Sequence, residues 1–268
     1  MIINTIILLE AISSSVLLCY FTNTYDRWYF IVLFVLIIPF MYMLWTIIYL
    51  LFLSFISLFL KKDDNIKKPN KFIYFFVKEA CYQIMFIFRI VVRRNKVNYP
   101  KEKCLIVCNH MSNFDLLPIM WYGKSKPILC ITKQENMKIP LIGKFMRYAG
   151  FVDIDRNNDF KAIKSLLKAS EMIKSDYSSY IVCPEGTRNK TPENGMLEWK
   201  PGCFKIAYKA KCPIVVVSIK NTNRIKNNWY KLFSKVEYNI CEIIQYEKYE
   251  VMNSIELSDY CKKLIEND

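Results

Sequence analysis

The chain has 268 residues, of which 38 are basic and 24 acidic, giving a formal net charge of +14. A single histidine and the lack of any Cys-x-x-Cys spacing disfavour mixed Cys/His zinc sites. Several of the ten cysteines lie in apolar runs, which is typical of buried free thiols in a reducing compartment. The positive charge suits a nucleic-acid partner, but no DNA- or RNA-binding signature accompanies it.

The charge is almost absent from residues 1–60, whose only charged side chains are Glu10, Asp26 and Arg27. The uncharged run from Trp28 to Leu60 is longer than the roughly 20 apolar residues that cross a bilayer, so it predicts a membrane helix. The stretch Ile2 to Phe21 is also long enough, but Glu10 near its centre disfavours insertion. One or two spans are therefore expected. A cleavable signal peptide fits poorly, because no positive residue precedes the first apolar run.

The lysine-rich segment "KKDDNIKKPNK" follows these apolar residues, at positions 61–71. Positive residues beside a span remain on the cytoplasmic side, so we expect an integral membrane protein with its C-terminal part facing the cytoplasm. The same lysines either attract anionic headgroups or form an ordinary solvated linker. We expect a membrane anchor over residues 1–60, and a basic linker with an amphipathic helix over residues 61–98.

The apolar run Phe72–Val92 is interrupted by Lys78, Glu79 and Arg89, which is a poor pattern for a span and a good one for an interfacial or core-packing helix. Beyond Pro100, short β-branched runs alternate with helix-like stretches, which predicts one α/β domain over residues 99–268 with a mixed sheet flanked by helices. The predicted strands are Cys104–Cys108, Ile128–Thr132, Phe151–Ile154, Tyr180–Cys183, Ile214–Ile219 and Val236–Ile244. The predicted helices are Phe114–Tyr122, Ile139–Tyr148, Asp159–Ser175, Cys203–Ala210 and Ser258–Ile265.

The only histidine, His110, stands in "CLIVCNHMSNFDLL", five residues before Asp115. On a continuous helix these two side chains would point about 140° apart, so they could not pair. If "CLIVC" is a buried strand and Ser112 or Asn113 caps the next helix, the loop can fold the imidazole back toward Asp115 in the first helical turn. A carboxylate on one ring nitrogen leaves the other nitrogen free to accept a proton. The alternative is an incidental surface histidine.

A second stretch, "YIVCPEGTRNK", follows another apolar strand and places Glu185 and Arg188 at its C-terminal end. Gly186 permits a backbone turn that is closed to other residues. Ligands of open α/β sheets bind at such strand ends. The alternative is a turn with a surface ion pair, which is worth little energetically.

These two stretches carry a resemblance to a known family. Residues Asn109 to Asp115 match the NHxxxxD motif and Pro184 to Arg188 the PEGTR motif of glycerolipid acyltransferases, so the chain resembles the 1-acylglycerol-3-phosphate acyltransferase family. The blocks "GFVDIDR", residues 150–156, and "KPGCFKIAYKAKCPIVVVSI", residues 200–219, are similar to two further family blocks, in the family's order. The resemblance covers about residues 100–220. Cys183 stands where the family usually has phenylalanine, and Asn189 where serine is common.

The resemblance implies transfer of a fatty acyl group to the sn-2 hydroxyl of lysophosphatidic acid, giving phosphatidic acid in phospholipid biosynthesis. His110 and Asp115 are the expected catalytic residues. Acyl-CoA or acyl carrier protein would supply the acyl group, with no further cofactor or metal. The expected substrate-binding residues are Glu185, Gly186, Thr187, Arg188, Arg156 and Lys133.

Several alternatives stay open on the sequence. The same fold could acylate glycerol-3-phosphate or another lysophospholipid, or the chain could be a non-enzymatic membrane lipid-binding protein. A scaffold would need none of the four reactive side chains, namely His110, Asp115, Glu185 and Arg188. The acyl tail needs an apolar groove, which either Phe72–Val92 or the Leu116–Tyr122 helix could provide. The sequence identifies neither the donor, nor the preferred chain length, nor the oligomeric state.

Overall fold

Two N-terminal helices precede a mixed seven-stranded sheet in the computed structural model, which describes residues 1–60, 68–123, 127–155, 158–228 and 230–268. The chain divides into two compact units, Met1–Lys62 and Asp63–Asp268. The sheet lies in the second unit, so the predicted α/β fold with preceding apolar helices is confirmed.

The first unit consists of helices α1, Ile2–Phe21, and α2, Phe30–Phe59, which pack against each other. The Tyr42 hydroxyl donates a hydrogen bond of 2.6 Å to the side-chain oxygen of Asn4. Glu10 is exposed on α1, and Pro39 lies inside α2. Both helices are long and apolar enough to cross a bilayer, which suggests membrane association.

The second unit alternates helices with strands after an initial helix. Its strands are β1 Ile90–Arg94, β2 Leu105–Cys108, β3 Ile128–Lys133, β4 Val152–Ile154, β5 Ser179–Val182, β6 Ile214–Lys220 and β7 Ser234–Ile244. Its helices are α3 Lys71–Ile87, α4 Leu116–Tyr122, α5 Ile142–Ala149, α6 Asp159–Lys174, α7 Lys205–Ala210, α8 Tyr246–Tyr249 and α9 Ser254–Glu266.

The strand order in the sheet is β1-β7-β6-β2-β5-β3-β4. The five strands β6, β2, β5, β3 and β4 are mutually parallel, whereas β7 is antiparallel to β6 and β1 is parallel to β7. Every residue of the central strands β2 and β5 is buried, as expected for parallel strands that are covered on both faces. Helices α3, α4 and α5 pack in one group, and α6, α7 and α9 pack in another through the turn at Pro201–Phe204.

Asparagine caps set the start of three helices. The side chains of Asn70, Asn158 and Asn253 accept hydrogen bonds from backbone N–H groups in the first turns of α3, α6 and α9. Asn253 forms a full capping box with Glu256. This cap explains why the last helix begins at Ser254, whereas the apolar pattern predicted a start at Ser258.

Residues before position 99 also contribute to the sheet unit. The apolar run Phe72–Val92 does not form one helix, because α3 ends at Ile87 and β1 begins at Ile90. Strand β1 pairs with β7, and α3 packs against α4 and α5. Both elements therefore belong to the same unit as the sheet, and α3 is at least in part a core-packing helix. Most of the expected basic linker, residues 61–67, lies outside the described residues.

Candidate active site

The predicted site residues gather at one edge of the sheet because strands β2, β5 and β3 are parallel neighbours. His110 follows the end of β2, Glu185 follows the end of β5, and Lys133 is the last residue of β3. The carboxyl ends of parallel strands share one edge, which is where open α/β sheets bind their ligands. Arg156, another expected phosphate contact, lies outside the described residues.

His110 and Asp115 form the predicted pair. The distance from Nδ1 of His110 to Oδ2 of Asp115 is 2.8 Å, and the same oxygen accepts hydrogen bonds from the backbone N–H groups of Met111 (2.7 Å) and Ser112 (2.8 Å). Asp115 is fully buried, so these donors replace the water that an exposed carboxylate would have. Because a carboxylate only accepts, the network assigns the ring proton to Nδ1 and leaves Nε2 able to accept a proton.

The local helix start differs from the expected one. Helix α4 begins at Leu116, so Asp115 stands directly before the helix instead of inside its first turn. The Ser112 hydroxyl accepts a bond from the backbone N–H of Phe114 (3.3 Å) and does not cap α4. The turn at residues 112–115 brings the carboxylate back under the loop, which is how two residues five apart come to pair.

The environment of His110 favours its protonated form. Burial by itself lowers the pKa of the imidazole, but the hydrogen bond to Asp115 and the nearby Cys183, Asp115 and Glu185 groups outweigh it, so the pKa is raised above its ordinary value. The side chain of His110 is 20% exposed, whereas that of Asp115 is not exposed. The imidazole is thus a stronger base than usual and remains partly exposed.

Glu185 connects three loops through its carboxylate. Its Oε1 accepts from the backbone N–H of His110 (2.7 Å), and its Oε2 accepts from that of Leu197 (3.2 Å). The residue is only 4% exposed, and burial raises its pKa against the opposing effect of these two hydrogen bonds. Both oxygens are therefore engaged by the protein, which gives Glu185 a loop-holding role alongside the expected contact with substrate.

Two asparagines that the sequence had not assigned also hold this loop. The backbone N–H of Asn189 donates to the carbonyl of His110 (2.7 Å), so the backbone of His110 is fixed on both sides by the loop after β5. The side chain of Asn109 donates to the carbonyl of Ile219 (2.8 Å) and accepts from its N–H (2.9 Å), which ties the end of β2 to β6. Asn109 had a signal in the motif, since it precedes His110 directly.

The remaining predicted residues line the exposed side of this edge. Gly186 has a positive φ of 66°, and the side chain of Lys200 lies beside it, within 3.5 Å of where a Cβ would stand. Thr187 and Arg188 are exposed, as are Lys133 and Lys200. Lys200 was not predicted, although it begins one of the recognised blocks. Together these cations make the edge suitable for an anionic ligand.

The cysteines nearest the site lie against each other. The sulfurs of Cys108 and Cys183 lie 3.6 Å apart at the ends of β2 and β5. The hydrogen bond between Cys108 and Cys183, together with burial, raises the pKa of Cys108 well above its ordinary value. All ten cysteines are free thiols. Within the described ranges, no group of three or more His, Cys, Asp or Glu side chains is arranged to hold a metal ion.

Comparison with known proteins identifies the family. The family model described as Acyltransferase matches residues 89–220, which includes β1. A 1-acyl-sn-glycerol-3-phosphate acyltransferase of Haemophilus influenzae is 30% identical over 167 residues, covering 62% of this chain and 68% of that protein. The yeast Saccharomyces cerevisiae enzyme of the same name is 34% identical over 140 residues, covering 52% of this chain but only 45% of its own length.

A solved structure agrees with these sequence matches. The crystal structure of the 1-acyl-sn-glycerophosphate (LPA) acyltransferase PlsC from Thermotoga maritima superposes with a TM-score of 0.60 at 26% identity, covering 82% of this chain and 86% of that one. Fold, ordered motifs and relatives thus agree on one assignment, and the chain belongs to the 1-acyl-sn-glycerol-3-phosphate acyltransferase family.

Proposed function

We propose that the protein transfers a fatty acyl group from a thioester donor to the sn-2 hydroxyl of lysophosphatidic acid, giving phosphatidic acid. The observation that carries this proposal is the His110–Asp115 pair at the edge of the sheet, with the backbone of His110 fixed by Glu185 and Asn189. This arrangement orients a general base beside a cationic surface. It suits proton transfer from the hydroxyl of an anionic acceptor.

The transfer requires one base and no acyl-enzyme. Nε2 of His110 accepts the acceptor's hydroxyl proton while that oxygen attacks the thioester carbonyl carbon. The tetrahedral intermediate then collapses with cleavage of the C–S bond, and His110 returns the proton to the leaving thiolate. Asp115, 2.8 Å from Nδ1, stabilises the imidazolium that forms between these two steps.

The acceptor phosphate would bind to the cations of the loop after β5 and to Lys133 at the end of β3. Arg188 offers a planar group for bidentate bonds to phosphate, and Lys133 and Lys200 offer point charges. Thr187 and the backbone of Gly186 lie on the same loop. Arg156 belongs to the same proposal by its place in the matched block.

The acyl tail would lie against the apolar surface between α3 and α4. The rings of Phe88 and Phe114 are 4.8 Å apart, and Phe114 belongs to the His110 loop. Tyr82 of α3 and Trp121 of α4 are 4.6 Å apart, so the two elements that the sequence offered as alternatives form one surface. Phe88 keeps 39% of its surface exposed, which leaves apolar area for a lipid chain.

The N-terminal unit would anchor the enzyme where its lipids are. We infer that α1 and α2 insert into the membrane and that the sheet unit faces the cytoplasm, as the lysines after α2 favour. Both the acceptor and the product partition into a bilayer, so a membrane-held site searches for its acceptor in two dimensions.

The test uses membranes from cells that express the protein, incubated with isotope-labelled lysophosphatidic acid and either acyl-CoA or acyl carrier protein. We expect labelled phosphatidic acid, identified by mass, with at least one donor. Unlabelled glycerol-3-phosphate and other lysophospholipids are added as competitors, and lysophosphatidic acid should be preferred. A clear preference for another acceptor, or no product with either donor, would contradict the proposal.

A further inference from the structure

Thr222 makes a contact to the catalytic pair that no motif signalled. It follows β6 in the turn at Thr222–Arg224 and is only 1% exposed. Its hydroxyl donates a hydrogen bond to Oδ1 of Asp115, whereas His110 pairs with Oδ2. The other three bonds to Asp115, from the His110 ring and two backbone N–H groups, all reach Oδ2. Thr222 therefore supplies a hydrogen bond to the second carboxylate oxygen, which the other three donors do not reach.

The position of Thr222 is fixed by the sheet. Strand β6 pairs with β2 in parallel, and the paired hydrogen bonds between Asn109 and Ile219 extend that pairing beyond the last strand residue of β2. Thr222 comes three residues after Ile219, and Asn221 between them has a left-handed φ of 70° that turns the chain toward the site. The hydroxyl thus reaches Asp115 from the turn after β6, which does not belong to the His110 loop.

We propose that Thr222 is a positioning residue whose hydroxyl holds Asp115 in place and moderates how strongly that carboxylate stabilises protonated His110. The inference rests on the proposed role of His110 as the base. A hydrogen bond to Oδ1 disperses the carboxylate charge, so less of that charge acts on the imidazolium. The charged or titratable groups that face His110 are Asp115, Glu185 and Cys183. Thr222 acts on the first of these.

The single histidine makes this effect directly measurable. Full-length protein, labelled with ¹³C at histidine Cε1 and purified in detergent micelles without a polyhistidine tag, gives one imidazole NMR signal. Its chemical shift against pH reports the protonation of His110 whether or not the protein turns over substrate. We expect the wild-type midpoint to lie above the ordinary histidine value, since the pKa is raised.

The matched variants are Thr222→Val, which keeps the shape and loses the hydroxyl, and Thr222→Ser, which keeps the hydroxyl. In T222V the His110 midpoint should move to higher pH, and kcat/KM near pH 7 should fall about tenfold, a small part of what acid–base catalysis supplies. The difference in kcat/KM between T222V and the wild type should become smaller as pH rises, while the KM for the acceptor stays within twofold of the wild-type value. T222S should match the wild type in both readouts.

An unchanged midpoint and unchanged activity in T222V would overturn the proposal, and so would a loss of activity that is equal at every pH. If T222V does not fold, Thr222→Ala removes the same hydroxyl and is judged by the same criteria. If wild-type protein transfers no acyl group, the proposed function fails, but the NMR titration still decides whether Thr222 acts on His110.

Discussion

Replacing Asp115 with asparagine tests the proposed catalytic pair with little change of shape. The carboxylate accepts four hydrogen bonds, three at Oδ2 and one at Oδ1. If the asparagine oxygen takes the Oδ2 position, it can still accept from His110, Met111 and Ser112. Its NH2 group then faces Thr222, whose hydroxyl can rotate from donor to acceptor. The variant should therefore fold while losing only the negative charge.

The expected loss follows from that charge. A hydrogen bond to a charged group contributes about 1.5–3 kcal/mol and a neutral one about 0.5–1.5 kcal/mol, so loss of the charge alone weakens stabilisation of the imidazolium by about 1–1.5 kcal/mol. This difference corresponds to about a 5- to 10-fold fall in kcat/KM. The pKa of His110 should fall as well, because burial lowers it and the opposing bond to a charged partner is gone.

The assay is steady-state transfer to labelled lysophosphatidic acid from pH 5.5 to 9, with thermal unfolding and the His110 NMR titration on the same preparations. Asp259→Asn, an exposed aspartate on α9, is the matched control and should behave as the wild type. A D115N protein that is folded but within threefold of wild-type activity would refute the assigned role of Asp115. A His110 midpoint that rises would refute the electrostatic reasoning.

Three further predictions address the loops and the pH dependence. Glu185→Ala leaves two backbone N–H groups without their acceptor, which should lower the free energy of unfolding by about 2 kcal/mol. The melting temperature without substrate should then fall by about 4–8 °C. Glu198→Ala, at an exposed neighbouring position, should leave the melting temperature unchanged. An unchanged melting temperature with a raised KM would instead make Glu185 purely a substrate ligand. Arg188→Met should raise the KM for lysophosphatidic acid about tenfold or more at constant melting temperature, whereas the control Lys190→Met should have little effect on KM. If both variants change KM equally, Arg188 does not bind the substrate. Because the pKa of His110 is raised, kcat/KM should fall as pH decreases, with a midpoint above the ordinary pKa of histidine. The stability that protonated His110 contributes should be fully present below that ordinary pKa and lost as pH rises through the raised pKa. A midpoint below the ordinary value would contradict this reading.

The core strands were predictable because each is a short apolar run with a clear boundary. Strands β2 and β5 differ from their predicted bounds by one residue, since their residues are buried on both faces and leave a continuous apolar signal. Strand β1 was missed because its apolar residues continue the apolar run of α3. Nothing in that run marks the change from the helical repeat of apolar residues to the alternation of a strand. Its identity depends on pairing with β7, which lies more than a hundred residues later.

The local part of the site was predictable and the tertiary part was not. The His110–Asp115 pair spans five residues, so strand, loop and turn were enough to bring it together. Glu185 was recognised by its motif, but its bond to the backbone of His110 follows from the pairing of β2 with β5. Thr222 had no signal in the sequence, because a lone threonine after a strand gains meaning only from what the sheet places beside it.

The most direct test of the central claim is the activity of His110→Ala, measured as labelled phosphatidic acid by mass. No other histidine is available to replace the base. We expect product formation to fall by at least a hundredfold, with unchanged membrane association and melting temperature within a few degrees of wild type. Product formed at a rate near that of the wild type, by folded H110A protein, would contradict the assignment of His110 as the catalytic base.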